Sequence, residues 1–259
     1  MHILISNDDG IYAPGVKALT DALSGSEYEI TVVCPDRERS ATGHALTLQE
    51  PVRVDQIKDY FHPDVSAWAC SGTPSDSMKL ALDAIVTTRP DLVLSGINRG
   101  SNLGTDVLYS GTVSAAMEGV LEDLPSIAFS LTSFASLDFS AAASFAQKLV
   151  QAIAYNPLPE SMLLNVNVPA IPEIDICGVM VAKLGIRKWK DVFEKRVDPR
   201  GKIYYWLAGV VIEEEAAVDT DVQGIKNNFI TITPLKYDLT LDSALPLITD
   251  WSKTHLQLQ

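Results

Sequence analysis

Two adjacent aspartates, Asp8 and Asp9, stand directly behind a short apolar run in the stretch Asn7-Asp8-Asp9-Gly10. Like charges at that range repel unless something offsets them, and a divalent cation is the usual counter-charge. An acidic turn or a helix cap uses the same residue types, so the pair alone leaves both readings open. Similar polar clusters close other apolar runs: Arg37-Glu38-Arg39-Ser40, Ser71-Gly72-Thr73-Pro74 and Gly96-Ile97-Asn98-Arg99-Gly100. Adding Ser40 and Asn98 to the aspartates gives a ligand set made only of oxygens. Carboxylate, hydroxyl and amide oxygens suit hard ions such as Mg²⁺ or Mn²⁺. The few histidines (His2, His44, His62, His255) form no His-Glu-x-x-His pattern and the cysteines are unpaired in spacing, which disfavours the usual zinc site.

Ser110-Gly111-Thr112, ahead of a helical stretch, is a second device. Free N–H groups and the helix dipole favour an anion there, although a plain Ser N-cap looks the same. His44 is open between a general acid near the site and a loop histidine that merely packs. Other chemistries lack their motifs. There is no P-loop, no dinucleotide glycine triad and no Gly-x-Ser-x-Gly elbow.

These clusters can meet only if the apolar runs before them lie side by side and parallel. Residues 2–6, 28–34, 66–70, 91–95, 125–130 and 162–168 read as strands. Between them, Val16, Leu19 and Leu23, then Met78, Leu82 and Ile85, and then Phe145, Leu149 and Ile153 recur at helical spacing; residues 110–121 also read as helix. Strands alternating with helices predict an α/β fold, a mostly parallel sheet covered on both faces. In such sheets ligands bind beyond the carboxyl ends of the strands, where every cluster named above would fall.

Beyond Pro172 the pattern changes. Residues 183–209 are rich in Lys, Arg, Trp and Tyr, and Asp198-Pro199-Arg200-Gly201 lies between two extended stretches, a hairpin signature. Its aromatic residues need cover, from its own domain or from a neighbouring subunit. The chain thus divides into a core, 1–172, and an extension, 173–259, of one domain; disorder is expected only after Trp251.

The bulk composition is that of a globular protein. Twenty Lys+Arg against 33 Asp+Glu give a formal charge of −13, which repels long nucleic acids and anionic membranes. No apolar run reaches the roughly 18 residues of a membrane helix, and no basic leader opens the chain. Three widely spaced cysteines suit a reducing compartment. The expectation is a soluble cytoplasmic protein.

In number and order, the motifs resemble those of the stationary-phase survival protein SurE family. They are Asn7-Asp8-Asp9-Gly10-Ile11 with Pro14-Gly15, Pro35-Asp36-Arg37-Glu38-Arg39-Ser40, Gly72-Thr73-Pro74-Ser75-Asp76, Ser95-Gly96-Ile97-Asn98-Arg99-Gly100-Ser101-Asn102 and Tyr109-Ser110-Gly111-Thr112-Val113. Asn165-Val166-Asn167-Val168-Pro169, the 198–201 turn and Thr231-Ile232-Thr233-Pro234-Leu235 carry the likeness through most of the chain. Ser75 and Ser77 depart from the Ala and Cys common around Asp76. The resemblance implies a Rossmann-like three-layer αβα fold with a C-terminal β-hairpin arm. It also implies divalent-metal-dependent hydrolysis of nucleoside 5′-monophosphates, and often 3′-monophosphates.

Carried over residue by residue, the metal ligands fall on Asp8, Asp9, Ser40 and Asn98, and the phosphate-lining turn on Ser110, Gly111 and Thr112. Asp8, Asp9 and Asn98 carry the catalytic roles; for the general base Asp9 is the first candidate, and a pre-formed metal hydroxide is the equal alternative, because a carboxylate bound to metal is a poor base. Family members associate as dimers or tetramers with exchanged C-terminal elements, so a homo-oligomer is expected. Two other classes stay in view: a nucleotide-binding survival factor without turnover, and a nucleotide-dependent oxidoreductase on the same fold.

Overall fold

His2–Ser6 is buried at every position, so the first strand, β1, is an interior strand with both faces covered. The computed structural model describes residues 1–158, 162–212 and 217–256. After β1, Pro14 opens α1 (Pro14–Leu23) at a first-turn position where its missing N–H costs nothing. Val16, Leu19 and Leu23 form its buried stripe, as their spacing requires. The chain continues through β2 (Glu29–Pro35), β3 (Val54–Ile57), β4 (Val65–Cys70), α2 (Pro74–Leu80) and β5 (Leu92–Arg99). Then come α3 (Gly111–Leu121), β6 (Ser126–Leu131), α4 (Ser140–Tyr155) and β7 (Leu163–Val168).

β1, β2, β4, β5, β6 and β7 pair in parallel, within a nine-stranded sheet ordered β3-β4-β2-β1-β5-β6-β7-β11-β8. Alternate residues of each strand serve opposite faces. Ile3, Ile5, Leu92, Leu94, Ile127 and Phe129 pack with Val16 and Leu19 of α1 and with Ala142, Ala146 and Val150 of α4. On the other face Leu4 and Val93 meet Met78 of α2, while Ala128 and Leu163 meet Val113, Ala116 and Val120 of α3. This is the three-layer αβα arrangement. From β1 the chain moves outward to β2 and β4, then crosses back to place β5 on the other side of β1. The gap between the carboxyl ends of β1 and β5 is therefore a topological switch point, where open α/β sheets bind ligands.

Several elements differ from the sequence expectation. β5 runs on past Ser95 to Arg99, with a register irregularity between Ser95 and Asn98, so Asn98 sits on a strand end instead of a loop. Past β7 lie β8 (Gly178–Val181), the hairpin strands β9 (Lys188–Val197) and β10 (Ile203–Ile212), α5 (Asp221–Lys226), β11 (Phe229–Leu235) and α6 (Leu245–His255). β8 and β11 join the main sheet, β11 antiparallel to β7. β3, an antiparallel edge strand, was not anticipated, and neither were β8, β11 and α6. α6 continues through Trp251 to His255, where disorder was expected. The hairpin turns at Asp198-Pro199-Arg200-Gly201 as predicted, and Gly201 takes φ +80°.

Candidate active site

The loops behind β1, β2, β4 and β5 are bolted to one another. The Ile11 N–H donates to the Pro35 carbonyl at 2.8 Å, and the Asp36 N–H to the Cys70 carbonyl at 2.7 Å. The Arg39 N–H reaches the Asp8 carbonyl at 2.7 Å, and the Arg99 N–H donates to Asp9 Oδ2 at 3.0 Å. Backbone contacts thus fix both aspartates at the switch point.

Asp8 is buried, and its carboxylate faces the first turn of α3. The Thr112 hydroxyl donates to Asp8 Oδ1. Gly111 lies so close that an added Cβ would stand 2.7 Å from the Asp8 Cβ and 3.0 Å from Oδ2. Burial pushes the Asp8 carboxyl from 3.8 up to about 7; the Thr112 hydroxyl opposes the shift and the neighbouring Asp9 adds to it. Asp9 is also raised, first by burial and then by Glu38, against the Arg99 N–H. Among the described residues no Lys, Arg or His comes within ion-pair distance of either carboxylate. Two carboxylates with this desolvation and no cation from the chain fit a hard divalent ion, which would supply the missing charge.

The other expected ligands are placed less tightly. Asn98 Nδ2 donates to the Gly100 carbonyl at 2.9 Å, and Oδ1 accepts nothing from the described residues. Ser40 is exposed, and its hydroxyl donates to Glu38 Oε1 at 2.7 Å. Asp8, Asp9 and the α3 turn are thus joined by direct contacts, and Asn98 is joined through its neighbour Arg99. Ser40 reaches the group only through Arg39.

In the turn itself, Ser110 Oγ accepts from the Val113 N–H at 3.1 Å, so it caps α3 and leaves its own O–H to donate elsewhere. The N–H groups of Gly111 and Thr112 find no carbonyl among the described residues, as expected at a helix start; the Thr112 N–H is turned to the Asp8 carboxylate and, like the hydroxyl, opposes its upward shift. Thr112 has a second role that its sequence position did not reveal, because its hydroxyl holds Asp8.

Sequence reasoning also missed supporting residues. Asn102 is locked by Asn165 and Asn167 of β7 and by Ser130 of β6, through hydrogen bonds of 2.8–3.0 Å. They steady the loop behind β5. His44 resolves toward the packing role: its Nε2 sits 2.7 Å from Oε1 of Glu118, a buried α3 residue also paired with Lys79 at 3.1 Å. Burial alone would raise the Glu118 carboxyl, but His44 and Lys79 hold it below the usual range. The Asn-x-Asn pair on a strand and the lone Glu118 in an apolar helix face were the only available signals.

Comparison with known proteins bears on the family and the fold. Residues 3–191 match the family described as Survival protein SurE. A protein of Cyanothece sp. named 5′-nucleotidase SurE is 58% identical, covering 100% of this chain and 99% of its own length. One of the same name from Thermosynechococcus vestitus is 57% identical over 98% of this chain and 97% of its own. The crystal structure of the SurE protein from Aquifex aeolicus superposes with a TM-score of 0.82 at 38% identity, covering 97% of this chain and all of that one. With the fold, the motif order and full-length relatives in agreement, this chain belongs to the SurE family.

Proposed function

We propose that the chain is a 5′-nucleotidase, a phosphomonoesterase that releases phosphate from nucleoside 5′-monophosphates and also accepts 3′-monophosphates. The observation that carries this reading is the buried Asp8 carboxylate at the switch point, packed against the first turn of α3 and its N–H groups. Full-length relatives named 5′-nucleotidase SurE support it. The residues suited to hold a divalent cation, Mg²⁺ or Mn²⁺, are Asp8, Asp9, Asn98 and Ser40, the last after its hydroxyl leaves Glu38. Such an ion supplies electrophilic polarisation of a phosphoryl oxygen. The chain does the rest. The Gly111 and Thr112 N–H groups and the α3 dipole bind the phosphoryl oxygens, and the Ser110 hydroxyl donates to them. Thr112 keeps Asp8 oriented, and Asp9 is the first candidate to take a proton.

Dialysis against a chelator should abolish phosphate release from a nucleoside monophosphate, and Mg²⁺ or Mn²⁺ should restore it. Undiminished turnover in excess chelator would remove the metal from the proposal. Turnover itself separates this reading from a binding-only survival factor. The absence of a glycine triad behind β1 argues against an oxidoreductase.

We further propose that the chain acts as one SurE-like unit, with its extension used for assembly into a homo-oligomer, dimer or tetramer. β9 and β10 pair only with each other among the described residues, and isolated two-stranded hairpins are marginal in water. Trp189, Phe193, Tyr204, Tyr205 and Trp206 are exposed, as are Leu247, Ile248 and Trp251 of α6. A second copy is the simplest cover for so much apolar surface. Replacing residues 189–206 by a short Gly-Ser turn should give a monomer or a weaker assembly. A full-length chain that scatters light as a monomer at micromolar concentration would refute the oligomer. Among the described residues no helix is long and apolar enough to cross a membrane. A cytoplasmic location suits the free thiols of Cys34, Cys70 and Cys177.

A further inference from the structure

Beside Asp9 opens a cavity of about 280 Å³, whose walls include Tyr12, Arg37, Glu38, Arg99 and Phe139. Phe139 is buried and forms an apolar floor, whereas Tyr12 stands 57% exposed at the side. A large exposed ring is ordinarily free to move, yet Tyr12 is held. The Tyr60 ring meets it edge-on at 5.1 Å, and the Tyr60 hydroxyl donates to the Tyr12 carbonyl at 3.0 Å. Tyr60 in turn meets Phe61 edge-on at 4.9 Å, and Phe61 packs on the main core. Two aromatic side chains thus anchor a third that is left more than half in water. The Tyr12 hydroxyl makes no hydrogen bond with the described residues, so its polar end does not explain the arrangement.

We infer that the cavity is the nucleobase subsite and that Tyr12 is its stacking platform, an assignment that rests on the phosphomonoesterase reading. A pre-organised aromatic face lowers the ordering cost of binding a flat ring. The cavity adjoins Asp9, the chain neighbour of the Asp8 carboxylate that faces α3, which leaves room there for the rest of a nucleotide whose phosphoryl is held at α3. Its walls carry the carboxylates of Asp9, Asp36 and Glu38 against the guanidinium groups of Arg37 and Arg99. That balance disfavours a second phosphate and suits an uncharged aromatic ring with its sugar. Glu38 offers an acceptor, and Arg99, whose guanidinium has no hydrogen bond or ion pair among the described residues, offers donors. Fused rings gain more than single rings from the same face, so purine nucleotides depend on Tyr12 more than pyrimidine nucleotides.

The test compares the parent, Tyr12→Ala and Tyr12→Phe in two measurements. Adenosine, which has no phosphate, is titrated by calorimetry. In addition, kcat/KM for adenosine 5′-monophosphate is divided by kcat/KM for ribose 5-phosphate, which lacks the base. Both the adenosine affinity and the kinetic ratio should fall about tenfold in Tyr12→Ala, the scale of one stacked base, and return in Tyr12→Phe. If Tyr12→Ala does not fold, Tyr12→Leu keeps the bulk against Tyr60 without a π face and serves the same comparison. Equal adenosine affinity in parent and aliphatic variant, no heat from the parent at millimolar adenosine, or an unrescued Tyr12→Phe overturns the subsite. Adenosine binding with no ester hydrolysis would overturn the phosphomonoesterase reading and leave the subsite standing.

Discussion

Asp8→Asn should lower kcat/KM by about 10³ or more while making the metal-free protein more stable at neutral pH. Losing a single transition-state contact commonly costs about 10²–10³ in rate, and Asp8 would contribute both a ligand charge and the anchor of the α3 turn. The stability gain follows from proton linkage. In the fold the Asp8 carboxyl is raised from 3.8 to about 7, chiefly by burial. A carboxyl raised in this way contributes stability that is fully present below its unfolded pKa and lost as pH rises through about 7. Above that pH the metal-free fold holds a desolvated charge, at a cost on the order of 4 kcal/mol. Asn carries no charge and escapes it. Thermal melts in chelator should therefore show the variant's advantage growing from about pH 4 to about pH 7 and then levelling. Added Mg²⁺ or Mn²⁺ should stabilise the parent and leave the variant little changed. A parent whose metal-free melting point is flat across that window would sink the account, as would near-normal turnover by Asp8→Asn.

Gly111→Ala is expected to be almost as damaging, although it adds only one methyl group. Gly to Ala in a helix usually stabilises by about 1 kcal/mol. Here the new Cβ would stand 2.7 Å from the Asp8 Cβ and 3.0 Å from both Asp8 Oδ2 and Pro74 Cγ. β1, α2 and α3 close on this point together, so none can retreat cheaply. The variant should lose about 1–3 kcal/mol of stability and at least ~10² in kcat/KM, because Asp8 must turn away from Thr112. Denaturant melts and steady-state kinetics measure the two losses. An Ala variant with parental kinetics would show that the approach of α3 to Asp8 is incidental.

The core of the fold was legible because parallel strands buried on both faces read as unbroken apolar runs. Residues 3–5 and 92–94 are such runs. β3 and β8 escaped because they are short and largely exposed, with no such run. β11 carries Pro234, which argues against an interior strand. Its partner β8 pairs no further than Ile232, so the missing N–H lies beyond that ladder.

For the site, the convergence of loops followed from topology alone. The contacts that tune it did not, because Thr112 and Asp8 lie 104 residues apart. No local pattern announces that a hydroxyl at a helix start will hold a carboxylate behind the first strand. Nor did the aromatic anchoring of Tyr12 show in the sequence, since Tyr60 and Phe61 sit in a loop with no motif.

The return of β11 to the sheet bears on how the molecule is made. β7 is flanked by β6 on one side and by β11 on the other. β11 comes from a part of the chain synthesised only after both hairpin strands. During translation, then, the αβα core can form with β7 as its outermost strand, its row of N–H and C=O groups still open. Open, apolar edges are templates for pairing with other chains, and contacts this distant in sequence form slowly. A ribosome that stalls within the arm would leave a nearly complete core with that edge uncovered, the edge that Phe229–Leu235 covers in the finished fold.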